Sequence, residues 1–271
     1  NIKDSKLSDS EIITISIVGE LLTIDSEKSF FSLLKREYKE LFPRLGDRTR
    51  FNRTKRNLHL VISKIRGYIS EFMQLYSNNI RVIDSMPIPV CEFGRARFSK
   101  CFKGEASYGR CASKKETYFG FKFHALTTVD GFLTDYVITP ANIDDRNAVW
   151  DLCDKYRSIS IIGDKGYINK RLTPELKSER DIDLLFLKRA NSRDNYPKEV
   201  RQLLFKVRRR IETSFSQLTE QLNLNKVKSK SMLGFITRTS IKVLAHNISF
   251  LINKLMRNDD SMAKIKRLVF G

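Results

Sequence analysis

Histidine is scarce: three residues in 271 (His59, His124, His246) leave little material for a metal centre built on imidazoles. No Ser-His-Asp or Cys-His arrangement stands out, so a reaction that depends on a protein nucleophile is not indicated. Cysteine is sparse too. Cys91, Cys101, Cys111 and Cys153 are too few for a disulfide scaffold at this size, and the spacing of the first three is too wide for ordinary zinc-ligand pairs, so free thiols in the reducing cytoplasm are expected. Long apolar runs are missing: charge breaks every one well short of the ~20 residues a membrane span needs, and nothing resembles an export signal. The chain opens on Asn1 rather than Met, and a few preceding residues are expected. Acid is in deficit, with 31 Asp plus Glu against 50 Lys plus Arg, a net charge of +19. Such a surplus attracts polyanions, nucleic acid first, although charge alone leaves a ribosomal or membrane-surface protein open. Hydrophobic content of 41% is enough for a real core, which excludes a disordered basic tail.

Residues 1 to 75 read as helices. Ser8 stands three before Glu11 as a capping box ahead of Ile12, Ile13 and Ile15, and Phe30 to Leu41 supplies a second amphipathic face ended by Pro43. From Arg44 to Arg66 the composition turns basic, opposed only by Asp47, and a basic helix after two shorter ones predicts a helix-turn-helix-like DNA-binding module. Strand signals follow. Tyr118 to Leu126 alternates, with Phe119, Phe121 and Phe123 on one face and Lys122 and His124 on the other, and Asp130-Gly131 marks a hairpin turn. Asp144 and Asp145 precede a helical run and read as caps. Residues 93 to 115 read as a basic loop with Phe98, Phe102 and Tyr108 interleaved, able to meet a strand by charge and stacking. Pro197 to Leu222 reads as a long helix whose stripe is Leu204, Val207, Ile211, Phe215, Leu218 and Leu222, and the last apolar helix reads as core packing.

Three carboxylates sit in places that need an explanation. Asp84 lies inside the apolar run 82–88, Asp164 closes the run 159–164, and Glu212 lies at the edge of the long helix's buried stripe, one turn after Arg208. Charge on a buried strand or at its end is rare unless paired or bound to metal. Two strand aspartates and a helix glutamate suit two divalent cations, Mg²⁺ or Mn²⁺, which are hard ions that take oxygen ligands and serve phosphoryl transfer. The element order predicts an α/β fold: a ribonuclease-H-like mixed sheet flanked by helices over 76–256, an N-terminal all-helical module over 1–75 and a C-terminal tail over 257–271. In that layout the first and fourth strands are neighbours, which brings Asp84 to Asp164.

Five stretches then show a resemblance: Val82-Ile83-Asp84-Ser85, Tyr108 to Glu116, Thr139-Pro140-Ala141-Asn142, Gly163-Asp164-Lys165-Gly166-Tyr167 and Arg210 to Phe215. In this order they are similar to the DDE transposases of bacterial insertion sequences, most closely the insertion-sequence 982 family. The resemblance implies Asp84, Asp164 and Glu212 as the catalytic, metal-binding triad. It also implies a protein that binds double-stranded DNA at terminal inverted repeats and target sites, acting as a homodimer or larger complex in the nucleoid. Related enzymes often carry Tyr, Arg, Glu and Lys at fixed spacing on the last helix; here the positions hold Phe205, Arg208, Glu212 and Thr219, so only two match. The residues expected to touch DNA are Arg50, Arg53, Lys55 and Arg56, then Lys114 and Lys115, Lys122 and His124, Lys165, and Arg208; Lys226, Lys228 and Lys230 are expected to hold flanking phosphates. A ribonuclease-H-like endonuclease without strand transfer, and a non-catalytic repressor derived from a transposase, remain alternatives.

Overall fold

The structure, a computed structural model, describes residues 6–75, 78–111, 115–167, 169, 171–186, 196–256 and 264. The expected tail over 257–271 thus lies outside the described residues except at position 264. Elements run α1 (Asp9–Leu21), α2 (Glu27–Glu37), α3 (Arg48–Asn57), α4 (His59–Phe72), β1 (Ile80–Cys91), β2 (Ser107–Cys111), β3 (Glu116–Thr127), β4 (Leu133–Pro140), α5 (Ala148–Leu152), β5 (Ser160–Gly163), α6 (Leu172–Arg180), β6 (Asp183–Phe186), α7 (Lys198–Ser216) and α8 (Met232–Leu255). The chain forms two compact units, Asn1–Ile69 with Gln217–Gly271, and Ser70–Ser216. Among the described residues, no helix is long and apolar enough to cross a membrane.

In the first unit α1 starts as its capping box predicts: the Ser8 hydroxyl accepts from the Glu11 N–H, and the Glu11 carboxylate accepts from the Ser8 N–H at 2.7 Å. The basic stretch differs from a single helix. Asp47 caps α3 by accepting from the Thr49 and Arg50 N–H groups, and α3 closes at Leu58 before α4 begins. Residues 38–47 join α2 to α3, longer than the three- to four-residue turn of a helix-turn-helix. Helix α8 groups with these N-terminal helices rather than with the sheet, and most of it is buried. Its Lys242, fully buried, donates to the Glu20 carboxylate of α1 and to the Leu222 carbonyl, and Arg238 donates to Glu20 at 3.2 Å.

The second unit is a six-stranded mixed sheet with order β2-β3-β1-β5-β6. β1 is antiparallel to β3 and parallel to β5, and β5 is parallel to β6. The second edge of β3 is shared: β2 pairs with 116–120 and β4 with 121–127. Taking β4 on that edge, the layout is compatible with a ribonuclease-H-like core. β2 departs from the sequence expectation; the segment that reads as a loop forms a 3₁₀ turn (Phe93–Phe98) and this strand. Gly120 marks the point where β3 changes partner and β1 bulges between Pro89 and Cys91, and a Cβ there would stand 2.2 Å from the Ile88 carbonyl oxygen. Since backbone cannot yield as a flexible side chain can, Gly120→Ala is expected to destabilise this unit by about 2 kcal/mol or more in urea unfolding. An unchanged midpoint would show that the sheet does not need this close approach.

One face of the sheet is covered by α5 and α6 around Ile83, Leu126, Val149, Leu152, Tyr156 and Leu176. Helix α7 packs against the opposite side of β1, with Phe215 edge-on to Phe123 at 6.3 Å and the Ser214 hydroxyl donating to the Gly131 carbonyl at 2.7 Å.

Candidate active site

The site follows from where β5 stops. β5 pairs only with Ile80, Arg81 and Val82 of β1, so β1 runs on beyond it with one open edge. Pro87 and Pro89 lie along that stretch and have no N–H to offer another strand, which keeps the edge unpaired. Asp84 is two residues past the last pair with β5, and Asp164 follows directly on the carboxyl end of β5. Parallel strands therefore deliver both aspartates to one end of the sheet, the usual place for a ligand crevice in α/β folds. Gly163 allows this junction to be close, because a Cβ on it would meet Ile83 Cγ2 at 2.9 Å. Helix α7 adds Glu212 and Arg208, one turn apart.

These elements border an open depression of about 480 Å³, lined among others by Asp84, Asp164, Glu212, Arg208, Lys122 and Arg110. Arg208 reaches Asp164 and Glu212, each at 3.5 Å, and is itself only 22% exposed at its side chain. Its Nε is buried without a hydrogen-bond partner among the described residues, so the guanidinium is not saturated by the protein. Asp84 is the most enclosed of the three carboxylates. Burial pushes its pKa up to about 6, against a lowering by the Ser85 N–H (2.8 Å) and by Arg208, while Asp164 and Glu212 raise it further. Among the described residues, no group of three or more His, Cys, Asp or Glu side chains is gathered tightly enough to hold a metal ion; Arg208 is the countercharge between two of the carboxylates.

A fourth carboxylate belongs to the same depression. Asp144 is a cap, as expected, accepting from the Arg146 N–H at 2.9 Å. Asp145 is not. It accepts from the Ser85 hydroxyl at 2.9 Å and from Lys122 Nζ at 2.8 Å, and Lys122 also donates to the Ile143 carbonyl at 2.7 Å. Cross-strand register explains the meeting, since Ser85 pairs with His124 and Pro87 with Lys122, which puts Ser85 and Lys122 on one face. Nothing local separates Asp144 from Asp145; only partners 60 and 23 positions away do.

The expected DNA contacts are scattered. Lys122 and Arg208 line the depression, and Lys115, directly before β3, is exposed. His124 is corrected: it is fully buried, its Nε2 shares a hydrogen bond with the Thr139 hydroxyl at 2.9 Å, and burial lowers its pKa to about 4 although Asp145 opposes this. It is a neutral core ring, not a surface that DNA can reach. Lys55 is held by Glu27 at 2.6 Å with its side chain 12% exposed, and borders the same cleft as Arg56. Arg53 is exposed, Arg50 half-buried, and Arg56 lines a separate cleft of about 360 Å³ in the first unit with Arg48, Lys228 and Lys230. Lys114 and the side chain of Lys165 lie outside the described residues. Cys91, Cys101, Cys111 and Cys153 form no disulfide, and burial pushes the Cys153 thiol up to about 12.

Comparison with curated proteins and with solved structures found no match. A family model described as Transposase DDE domain matches residues 75–232, more than half of the chain and all of the sheet. The chain belongs to the DDE transposase domain family.

Proposed function

We propose that this protein is the transposase of an insertion sequence, of the insertion-sequence 982 branch, which binds terminal inverted repeats and cuts and joins DNA strands. The observation that carries the reading is the meeting of Asp84, Asp164 and Glu212, distant in sequence, around one open depression. Their oxygen-only donor set fits a hard divalent cation, Mg²⁺ or Mn²⁺, and the enclosed Asp84 carboxylate favours a cationic partner. To hold two such ions, Asp84, Asp164 and Glu212 would draw closer together than their present spacing around Arg208. Bound metal supplies Lewis-acid stabilisation of the attacking and leaving oxygens of a phosphodiester. The chain's own part is binding and orientation. Arg208, with its Nε unpartnered among the described residues, and Lys122, fixed by Asp145 and the Ile143 carbonyl, would hold non-bridging phosphate oxygens. The nucleophile is water for cleavage and a strand's 3′-hydroxyl for joining, so no side chain has to attack.

Residues 1–75 are proposed as a DNA-binding module, with Arg50, Arg53, Lys55 and Arg56 as its DNA contacts. The active species is proposed to be a homodimer on DNA. Incubating the purified chain with element-end DNA, target DNA and Mg²⁺ tests the reading: joined products are expected. Cleavage without joining would support a ribonuclease-H-like endonuclease, and binding with neither would support a repressor.

A further inference from the structure

Three aromatic side chains in the segment between β1 and β3 stand in solvent: Phe93 at 56% exposure, Phe98 at 72% and Tyr108 at 45%. Single exposed rings need no explanation, but grouped ones mark an interaction surface. Phe93 meets Tyr108 edge-on at 5.5 Å, and Tyr108 leans on its cross-strand partner Phe119 at 5.1 Å. Arg97 lies 4.6 Å from the centre of the Phe98 ring. Tyr108 and Arg110, two apart on β2, project from the same exposed face, and Arg110 lines the carboxylate depression. The aromatic surface therefore runs into the site. Between residues 92 and 111 the only carboxylates are Glu92 and Glu105, against five Lys or Arg.

We propose that this surface is a stacking platform for the bases of an unpaired DNA strand whose phosphates pass into the carboxylate depression, an inference that rests on the transposase reading. Rings supply a sequence-tolerant face for bases, and the interleaved cations supply the counter-charge for phosphates. A paired duplex hides its base faces in the stack and engages only the cations. Phe93, Tyr108 and Phe119 already support one another, so little side-chain freedom is lost when a base is added. The charge favours a polyanion over a second protein copy.

The test is equilibrium binding of the full chain without divalent metal, so that affinity is read apart from catalysis. Three probes are used: a labelled single strand, the same strand with abasic sites replacing its bases, and the fully paired duplex. The wild type is expected to bind the normal strand roughly tenfold or more tighter than the abasic one. The double variant Phe93→Ala, Tyr108→Ala is expected to lose about that factor on the single strand and to stay within about twofold on the duplex, while Tyr108→Phe keeps the wild-type value. Equal wild-type affinity for normal and abasic strands overturns the proposal, as does an equal loss on strand and duplex. A change of oligomeric state with unaltered strand affinity also overturns it, because a second copy would then cover the rings. Failure of the transposase reading is seen separately, as absence of metal-dependent joining by the wild type.

Discussion

Replacing Asp84 with Asn is expected to reduce metal-dependent strand cleavage by on the order of 10³-fold while making the protein more stable near neutral pH. The loss follows from the proposed role of Asp84 as a charged oxygen ligand to metal; several kcal/mol of transition-state stabilisation would go with it. The gain in stability follows from the raised pKa. Asp84 titrates at about 6 in the folded protein against an ordinary 3.8, so the folded state holds its proton more tightly than the unfolded state does. Stability linked to that proton is present at low pH and is lost as pH rises from about 4 to 6; above that range the buried charge is a net cost. Asparagine never carries the charge. Because Asp84 keeps some solvent contact, the gain at neutral pH is on the order of 1–2 kcal/mol rather than the larger figure the full shift implies. Thermal unfolding of both proteins at pH 7.5 and pH 4 checks this, with the difference expected to shrink at the lower pH. A variant that is less stable than wild type at pH 7.5 would mean that Asp84 holds the sheet together rather than waits for a cation.

Glu20→Gln is expected to cost about 3–5 kcal/mol of stability. Glu20 is the anion that α1 presents to α8, and it accepts from both Lys242 and Arg238. Lys242 is fully buried, and burial lowers its pKa although Glu20 raises it, so the ammonium relies on that carboxylate. Removing the carboxylate leaves two enclosed cations with one anion fewer. Lys242→Met is expected to cost less, because Glu20 then keeps Arg238 and the methionine fills the space. Urea unfolding followed by circular dichroism gives both values. Equal losses for the two variants would contradict the idea that Glu20 is the shared anchor.

The three carboxylates that line the depression are legible in the sequence because their signals are local. Asp84 within an apolar strand and Asp164 at a strand end are anomalous against their own neighbours, and Glu212 can be phased from the stripe of a single helix. The Ser8 capping box and the turn at Asp130-Gly131 depend on spacing over a few residues, and both occur. What the sequence hides depends on distant partners. Asp145 looks like a second cap until β3 brings Lys122 to it and β1 brings Ser85. His124 has the sequence surroundings of a half-exposed strand residue, yet the packing around β3 buries it completely. β2 is masked by its composition: an edge strand with one exposed face, in a basic segment, shows neither continuous hydrophobicity nor an apolar alternation. The basic stretch breaks into α3 and α4 at Leu58, a residue whose side chain is buried and whose helix propensity gives no warning. Nor does any local feature of α8 say that its partner is α1, more than two hundred positions earlier.

If Asp84, Asp164 and Glu212 act together on one metal-dependent site, they must share the cation. Crystals soaked in Mn²⁺ and measured for anomalous scattering test this most directly. A peak is expected in the depression bordered by these three carboxylates in the wild type, lost or much weakened in Glu212→Gln. No peak there, or an unchanged peak after that substitution, would contradict the shared site.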